Sequence, residues 1–321
     1  MFIAILAVGL YFSFDILVAV FLAIVISSGL NPFVSFLERI KIPRALGTGL
    51  VFLLIIAVFG IAIYEIIPIV GNEVSNFLEL FFPRIAAFLN IDPSQLSSIS
   101  ELISQKIFQV FPIGDGALFN VSKSVLGTIA LGISTLAMSF YLTIDHRGIE
   151  KFLLAVLPAK YENSAVNMFL RSRRKIGYWL QAQIVLSCVM GAMSFLALWT
   201  LGVKNAFVLG VLAGVFEIIP FVGPIFVGTL AVIVALLDST ALALYTLVVF
   251  IILQRIESDV LLPVIMNKAV GLHPVMVLIA MLVGANFFGI IGLLLAVPAL
   301  VIVQEFADDY AMKKARRQNL I

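Results

Sequence analysis

Long apolar stretches joined by short polar links run through the whole chain. The first, residues 1–30, is broken only by Asp15 and a few small polar residues. One crossing needs roughly 20 residues, so two short segments suit this stretch better than one straight helix. Asn31-Pro32 is expected to end the unit, because proline removes a backbone donor and clashes with the preceding turn. Glu38, Arg39, Lys41 and Arg44 then make a mostly basic elbow at the membrane surface. Further spans are expected at 46–67, 121–144 and 178–201. The second of these carries Gly127, Gly132, Ser134 and Ser139, small residues that let helices approach closely in lipid.

Two apolar runs are interrupted. The run 206–237 holds Glu217-Ile218-Ile219-Pro220-Phe221-Val222-Gly223-Pro224 near its middle. A helix cannot pass both prolines undisturbed, and the residue before each is pushed away from helical geometry. Two half-helices meeting at a break are therefore expected, with a carboxylate at the junction. The run 275–303 is broken at Gly284, Asn286, Gly289, Gly292 and Pro298. Freed backbone groups in lipid are tolerated only where protein or a water-lined cavity satisfies them, and an acid at such a place points to function. Broken helices of this kind hold substrate and coupling ions in secondary transporters.

Residues 69–118 differ in composition: Glu73, Glu79, Asp92, Glu101 and Asp115 stand against Arg84 and Lys106. Apolar residues there recur at helical spacing, and Ser98 with Glu101 has capping-box spacing. Two amphipathic helices, lying on the membrane or forming a small extracytoplasmic cap, are expected. Residues 145–178 read as a basic loop, with seven Lys or Arg against Asp145, Glu150 and Glu162. By the positive-inside rule this loop, the elbow at 38–44 and the tail with Lys313, Lys314, Arg316 and Arg317 are cytoplasmic. Helix parity then allows the interrupted runs to be either re-entrant hairpins or kinked spans. Hairpins are preferred, because each half is only about 13 residues, short for a crossing.

Composition agrees with this pattern. The 321 residues are 62% hydrophobic and 12% charged, against about 25% charged in soluble domains. A net charge of +2 gives no basic field for nucleic acid. Met1 opens on an apolar run with no basic residue ahead of it, so no removable signal peptide is expected. Cys188 is the one cysteine, which excludes an internal disulfide framework. His273 has no second His or Cys nearby to complete a metal site. No phosphate-cradling glycine loop, HExxH or dinucleotide fingerprint is present, so no cofactor and no ATP-driven chemistry is expected. No spacing signature supports an intramembrane enzyme built from Glu217, Asp259 and His273.

Five motifs together resemble the autoinducer-2 exporter family of bacterial and archaeal membrane proteins. They are Asn31-Pro32 with Leu37-Glu38 and Ile42-Pro43-Arg44; Ile219 to Pro224; Gln254-Arg255-Ile256-Glu257-Ser258-Asp259; Leu262-Pro263 with Val270 to Pro274; and Phe288 to Gly292 with Ala296-Val297-Pro298. The resemblance spans essentially the whole chain. It implies an all-α polytopic fold of about seven or eight membrane segments, a transporter role and homo-oligomers. Some family members are described as exporters of autoinducer-2, a small sugar-derived signal, and others as sodium or lithium/proton antiporters.

The expected pathway residues are Glu217, Pro220, Gly223, Pro224, Gln254, Asp259, Asn286 and Gly289. Glu217 suits ion or proton handling, or equally acceptance of hydrogen bonds from freed amides at the break. Gly223 and the prolines shape backbone. Arg255 with Glu257 or Asp259 is expected as an interfacial ion-pair latch, with Gln254 and Asp259 also able to line a polar pathway. The expected partners are the lipid bilayer, a small polar solute, and sodium or a proton. The expected site is the cytoplasmic membrane, with a cytoplasmic C-terminus.

Overall fold

The computed structural model describes residues 14–61, 64, 123–145, 147–220, 222–266 and 271–317. The expected cap at 69–118 lies outside them. All secondary structure among the described residues is helical. The helices are α1 (Phe14–Arg39), α2 (Arg44–Ile61), α3 (Lys123–Ile144), α4 (Gly148–Val156), α5 (Ala159–Leu201), α6 (Ala206–Phe216), α7 (Val222–Asp238), α8 (Thr240–Ile256), α9 (Leu262–Met266) and α10 (Pro274–Arg317). Four stretches, Asp15–Arg39, Arg44–Ile61, Ala159–Leu201 and Val275–Met312, are long and apolar enough to cross a membrane.

The described residues fall into two compact units. The first combines 14–55, 123–184 and 264–317. Here α1 corrects the expected end at Asn31-Pro32: it is one helix that passes through Pro32, with Asp15 in its first turn, while the first of the two expected short segments lies outside the described residues. Proline at 32 leaves the Ser28 carbonyl without its usual donor four residues on. Gly177 of α5 lies against that oxygen, so closely that a side chain there would place its first carbon 2.8 Å away. The freed carbonyl therefore faces the α5 backbone at Gly177. Gly29 packs against Leu180 in the same crossing. The close approach expected at Gly132 does not occur, since that glycine faces open space.

Arg44 fixes the elbow after α1. Its guanidinium donates to the Thr143 carbonyl at 2.7 and 2.9 Å and to the Ile144 carbonyl at 3.1 Å. It also donates to Asn31 at 2.6 Å and pairs with Glu38 at 2.9 Å. It therefore satisfies the last carbonyls of α3, which have no intrahelical donors, and complements the negative end of that helix. The motif Asn31, Glu38, Arg44 is one hydrogen-bonded joint.

The segment read as a basic loop at 145–178 is instead α4 and the first half of α5. Charge alone suggested a loop, but Lys, Arg, Glu and Ala are good helix formers and extend α5 outward. At 43 residues it is about 65 Å long, twice the roughly 30 Å apolar core of a bilayer. Arg171 pairs with Glu305 at 2.9 Å and Asp309 at 3.3 Å, and Lys175 pairs with Glu305 at 2.5 Å, which ties α5 to α10.

The apolar run at 274–317 reverses once, at Gly289, whose φ of 57° and ψ of −135° suit only glycine. Gly284 and Gly292, eight residues apart, face each other backbone to backbone. Two positions eight apart in a straight helix would be about 12 Å apart along the axis. The run is therefore a helical hairpin with arms 274–288 and 290–317. Pro298 does not break its second arm. Leu295, Val297 and Val301 of that arm pack on Val25 of α1 and Ile176, Trp179 and Leu180 of α5.

The second unit combines 56–61 with 185–263. Gly191 and Ser187 of α5 meet Gly210 and Gly214 of α6 with almost no side chain between them. Leu209, Leu212 and Ala213 of α6, Val227, Ala231 and Val234 of α7, and Ala243 and Phe250 of α8 form one core. The other face of α8 exposes Leu244, Leu247, Val248 and Ile251, as lipid contact requires.

Candidate functional site

The site is built from three successive helices. Helix α6 ends at Glu217, where the Glu217 N–H bonds the Ala213 carbonyl and the next two amides make tighter three-residue bonds. The chain turns through 217–220 and re-enters a helix at Val222. Pro220, Gly223 and Pro224 are all buried at this turn. Pro224 sits in the first turn of α7, where proline costs no hydrogen bond. Gly223 backs onto the end of α6: a side chain there would place a carbon 2.7 Å from the Glu217 nitrogen and the Phe216 carbonyl carbon. The rings of Phe216 and Phe226 lie 4.7 Å apart across the turn. At the other end, Lys204 ahead of α6 pairs with Asp238 at the close of α7. The run 206–238 is therefore a hairpin with its ends together. Its arms of 11 and 17 residues reach about 17 and 26 Å, less than a bilayer's apolar core of about 30 Å.

Ser239 alone separates α7 from α8, and its side chain caps the new helix by accepting from the Leu242 N–H at 3.1 Å. Both helices have 17 residues. The chain therefore descends and climbs by equal amounts, and the end of α8 returns to the level of the hairpin turn. The buried stripe of α8, Ala243, Thr246, Phe250 and Leu253, continues to Glu257. At that point the helix widens: Glu257–Leu261 is a π-turn, in which the Leu262 N–H bonds back to the Glu257 carbonyl. Such bulges re-aim side chains and recur at functional sites.

These features bring Glu217 and Glu257 together. The two carboxyl groups interact directly through a side-chain hydrogen bond, with relative exposures of 1% and 2%. Two carboxylates repel each other strongly in so small and dry a space, so the site favours a shared proton or a bound cation over two bare anions. Nowhere among the described residues do three His, Cys, Asp or Glu side chains gather as a metal site would require.

The other expected residues lie elsewhere. The latch of Arg255 with Glu257 or Asp259 is not formed: Glu257 points inward to Glu217, while Arg255 and Asp259 are exposed. The helix continues through Gln254 rather than turning, and its rotation puts positions 255 and 259 outside. Half-buried Gln254 gives its carbonyl to the Ser258 hydroxyl at 2.8 Å. Asn286 and Gly289 are exposed at the turn of the other hairpin. His273 caps α10, with its Nδ1 accepting from the Val275 N–H at 3.3 Å. Glu257 as a partner of Glu217 was missed because it stands among other polar residues.

A family profile described as AI-2E family transporter matches residues 1–312. The chain is 28% identical to YueF of Bacillus subtilis (strain 168) over 293 residues, covering 86% of this chain and 79% of that one. It is 24% identical to YrrI of the same strain over 301 residues, covering 90% and 85%. Both carry provisional transport-protein names. It is 23% identical over 313 residues to a protein of Escherichia coli (strain K12) named AI-2 transport protein TqsA, covering 92% and 86%. With two helical hairpins, long apolar helices and a buried acid pair, this chain belongs to the AI-2E family of transporters and is a membrane transport protein.

Proposed function

We propose that the protein exports a small polar organic molecule of the autoinducer-2 type across the cytoplasmic membrane, by alternating access around its two helical hairpins. The observation that carries the reading is the Glu217–Glu257 pair at the hairpin turn. A dry acid pair has little structural use, and breaks lined by protein are where transporters hold their cargo and coupling ion. In this reading one proton on the pair is exchanged during each cycle, and its arrival or departure changes how tightly the turn is held against the π-turn. The solute class is supported by the name of the Escherichia coli relative. The orientation, with the C-terminus in the cytoplasm, is supported by the basic residues at 38–44, 145–175 and 313–317. Copies assemble as homo-oligomers in the bilayer. The transport work is done without enzymatic chemistry on the solute.

A second reading is favoured by the same pair: two buried carboxyl groups side by side are a minimal oxygen site for sodium or lithium, and antiport against protons would follow. Purified protein in liposomes with a trapped pH dye separates the two. Efflux of a labelled autoinducer-like sugar that speeds up under an imposed proton gradient supports export. Dye signals driven by sodium or lithium without any sugar support antiport. Absence of both would sink the two readings together.

A further inference from the structure

Helix α4 takes no part in the proposed transport site. None of its residues is buried. Ile149, Phe152, Leu153 and Val156 recur at helical spacing on one side, away from Glu150 and Lys151. The stripe is used unevenly. Ile149 enters a small crevice with Ile24 of α1 and Leu142 of α3, whereas Phe152 and Val156 are each 63% exposed. Asp145 fixes the start of the helix by accepting from the Arg147 N–H at 3.2 Å and pairing with Lys151 at 3.3 Å. The open apolar face therefore has a fixed direction.

Chain reach limits where that face can be. Residues 145–147 alone separate α4 from the end of α3, so Gly148 lies within about 14 Å of Ile144. That helix end is apolar and its carbonyls are capped by Arg44, as expected at the level of lipid headgroups. Arg147, Lys160 and Arg174 are exposed nearby in sequence, and Tyr161, under the Lys160 ammonium, is exposed too. Cations and an amphipathic aromatic beside an apolar stripe match an anionic interface. We propose that α4 is a membrane-surface helix that seats Phe152 and Val156 at the acyl boundary of an anionic bilayer, with Arg147, Lys151 and Lys160 among the headgroup phosphates.

The test uses the full chain in a Cys188→Ser background, with a nitroxide placed through Phe152→Cys, Val156→Cys or Lys151→Cys, one at a time. The protein is reconstituted into vesicles of phosphatidylcholine and phosphatidylglycerol. Collision rates with oxygen and with a water-soluble nickel chelate are then compared. The expected oxygen-to-nickel ratio at 152 and 156 is several-fold above that at 151, and it falls in vesicles of phosphatidylcholine alone. Equal, nickel-accessible labels at all three positions would overturn the proposal in favour of a solvated helix. Labels at 152 and 156 shielded from both reagents would overturn it in favour of a protein contact, including one with a second copy. An unchanged ratio without phosphatidylglycerol would remove the headgroup part. Amide exchange over 148–156 in the unsubstituted protein gives a label-free check: it should slow severalfold when phosphatidylglycerol is included, and no slowing counts against the proposal.

Discussion

The Arg44 guanidinium reaches Asn31, Glu38, Thr143 and Ile144 at once, a pattern only a planar fork of donors can serve. A lysine there keeps the charge but cannot span these acceptors. Arg44→Lys should therefore lower stability by about 2 kcal/mol or more, since hydrogen bonds to charged groups each contribute about 1.5–3 kcal/mol. Thermal unfolding of the purified protein in detergent checks this. Glycines divide on similar grounds. Gly223→Ala pushes a carbon against the Phe216–Glu217 backbone and should cost about 1–3 kcal/mol. Gly132→Ala meets open space inside a helix and should be neutral or stabilising by up to about 1 kcal/mol. If the two substitutions shift the unfolding midpoint equally, the close turn at Gly223 is not as described. Among the acids, Glu217 was legible because it is the lone charge in an apolar run. Glu257 was not, since Arg255 and Asp259 beside it suggest a surface and only the rotation of α8 turns it inward.

At the scale of elements, the hairpin of α6 and α7 follows from arm length and from paired breakers at its turn, both readable in the sequence. The hairpin in α10 was readable too, although five breakers stood where a single reversal at Gly289 occurs. Gly284 and Gly292 serve that reversal by packing arm to arm rather than breaking the helix. The errors at 31–32 and 145–178 share a cause: local signals were overridden by packing and propensity. The helix runs on through Pro32, with the carbonyl it frees packed on α5, and charge at 159–175 decorates a helix. The Lys204–Asp238 pair gives the hairpin its own test. Paired cysteines at these positions, in a Cys188→Ser background, should join through a short bifunctional thiol reagent in membranes. Absence of a cross-link, with both positions individually reactive, would mean that 206–238 is not folded back. The ion pair itself should matter little, with Lys204→Ala costing at most about 1 kcal/mol because Lys204 is exposed.

For the molecule as a whole, apolar composition and interrupted runs already pointed to a membrane transporter, and family membership agrees. Neither says what drives transport. The proposed coupling rests on two acids forty residues apart in the chain, brought to one level by two helices of equal length. The most direct test is proton movement in liposomes with a trapped pH dye, comparing the unsubstituted protein with Glu217→Gln, Glu257→Gln and the double replacement. The pair acts as a unit in this account, so each single change should cut gradient-driven proton movement roughly tenfold or more, and the double should be no worse than either single. Correctly folded single variants that move protons at the unsubstituted rate would contradict it.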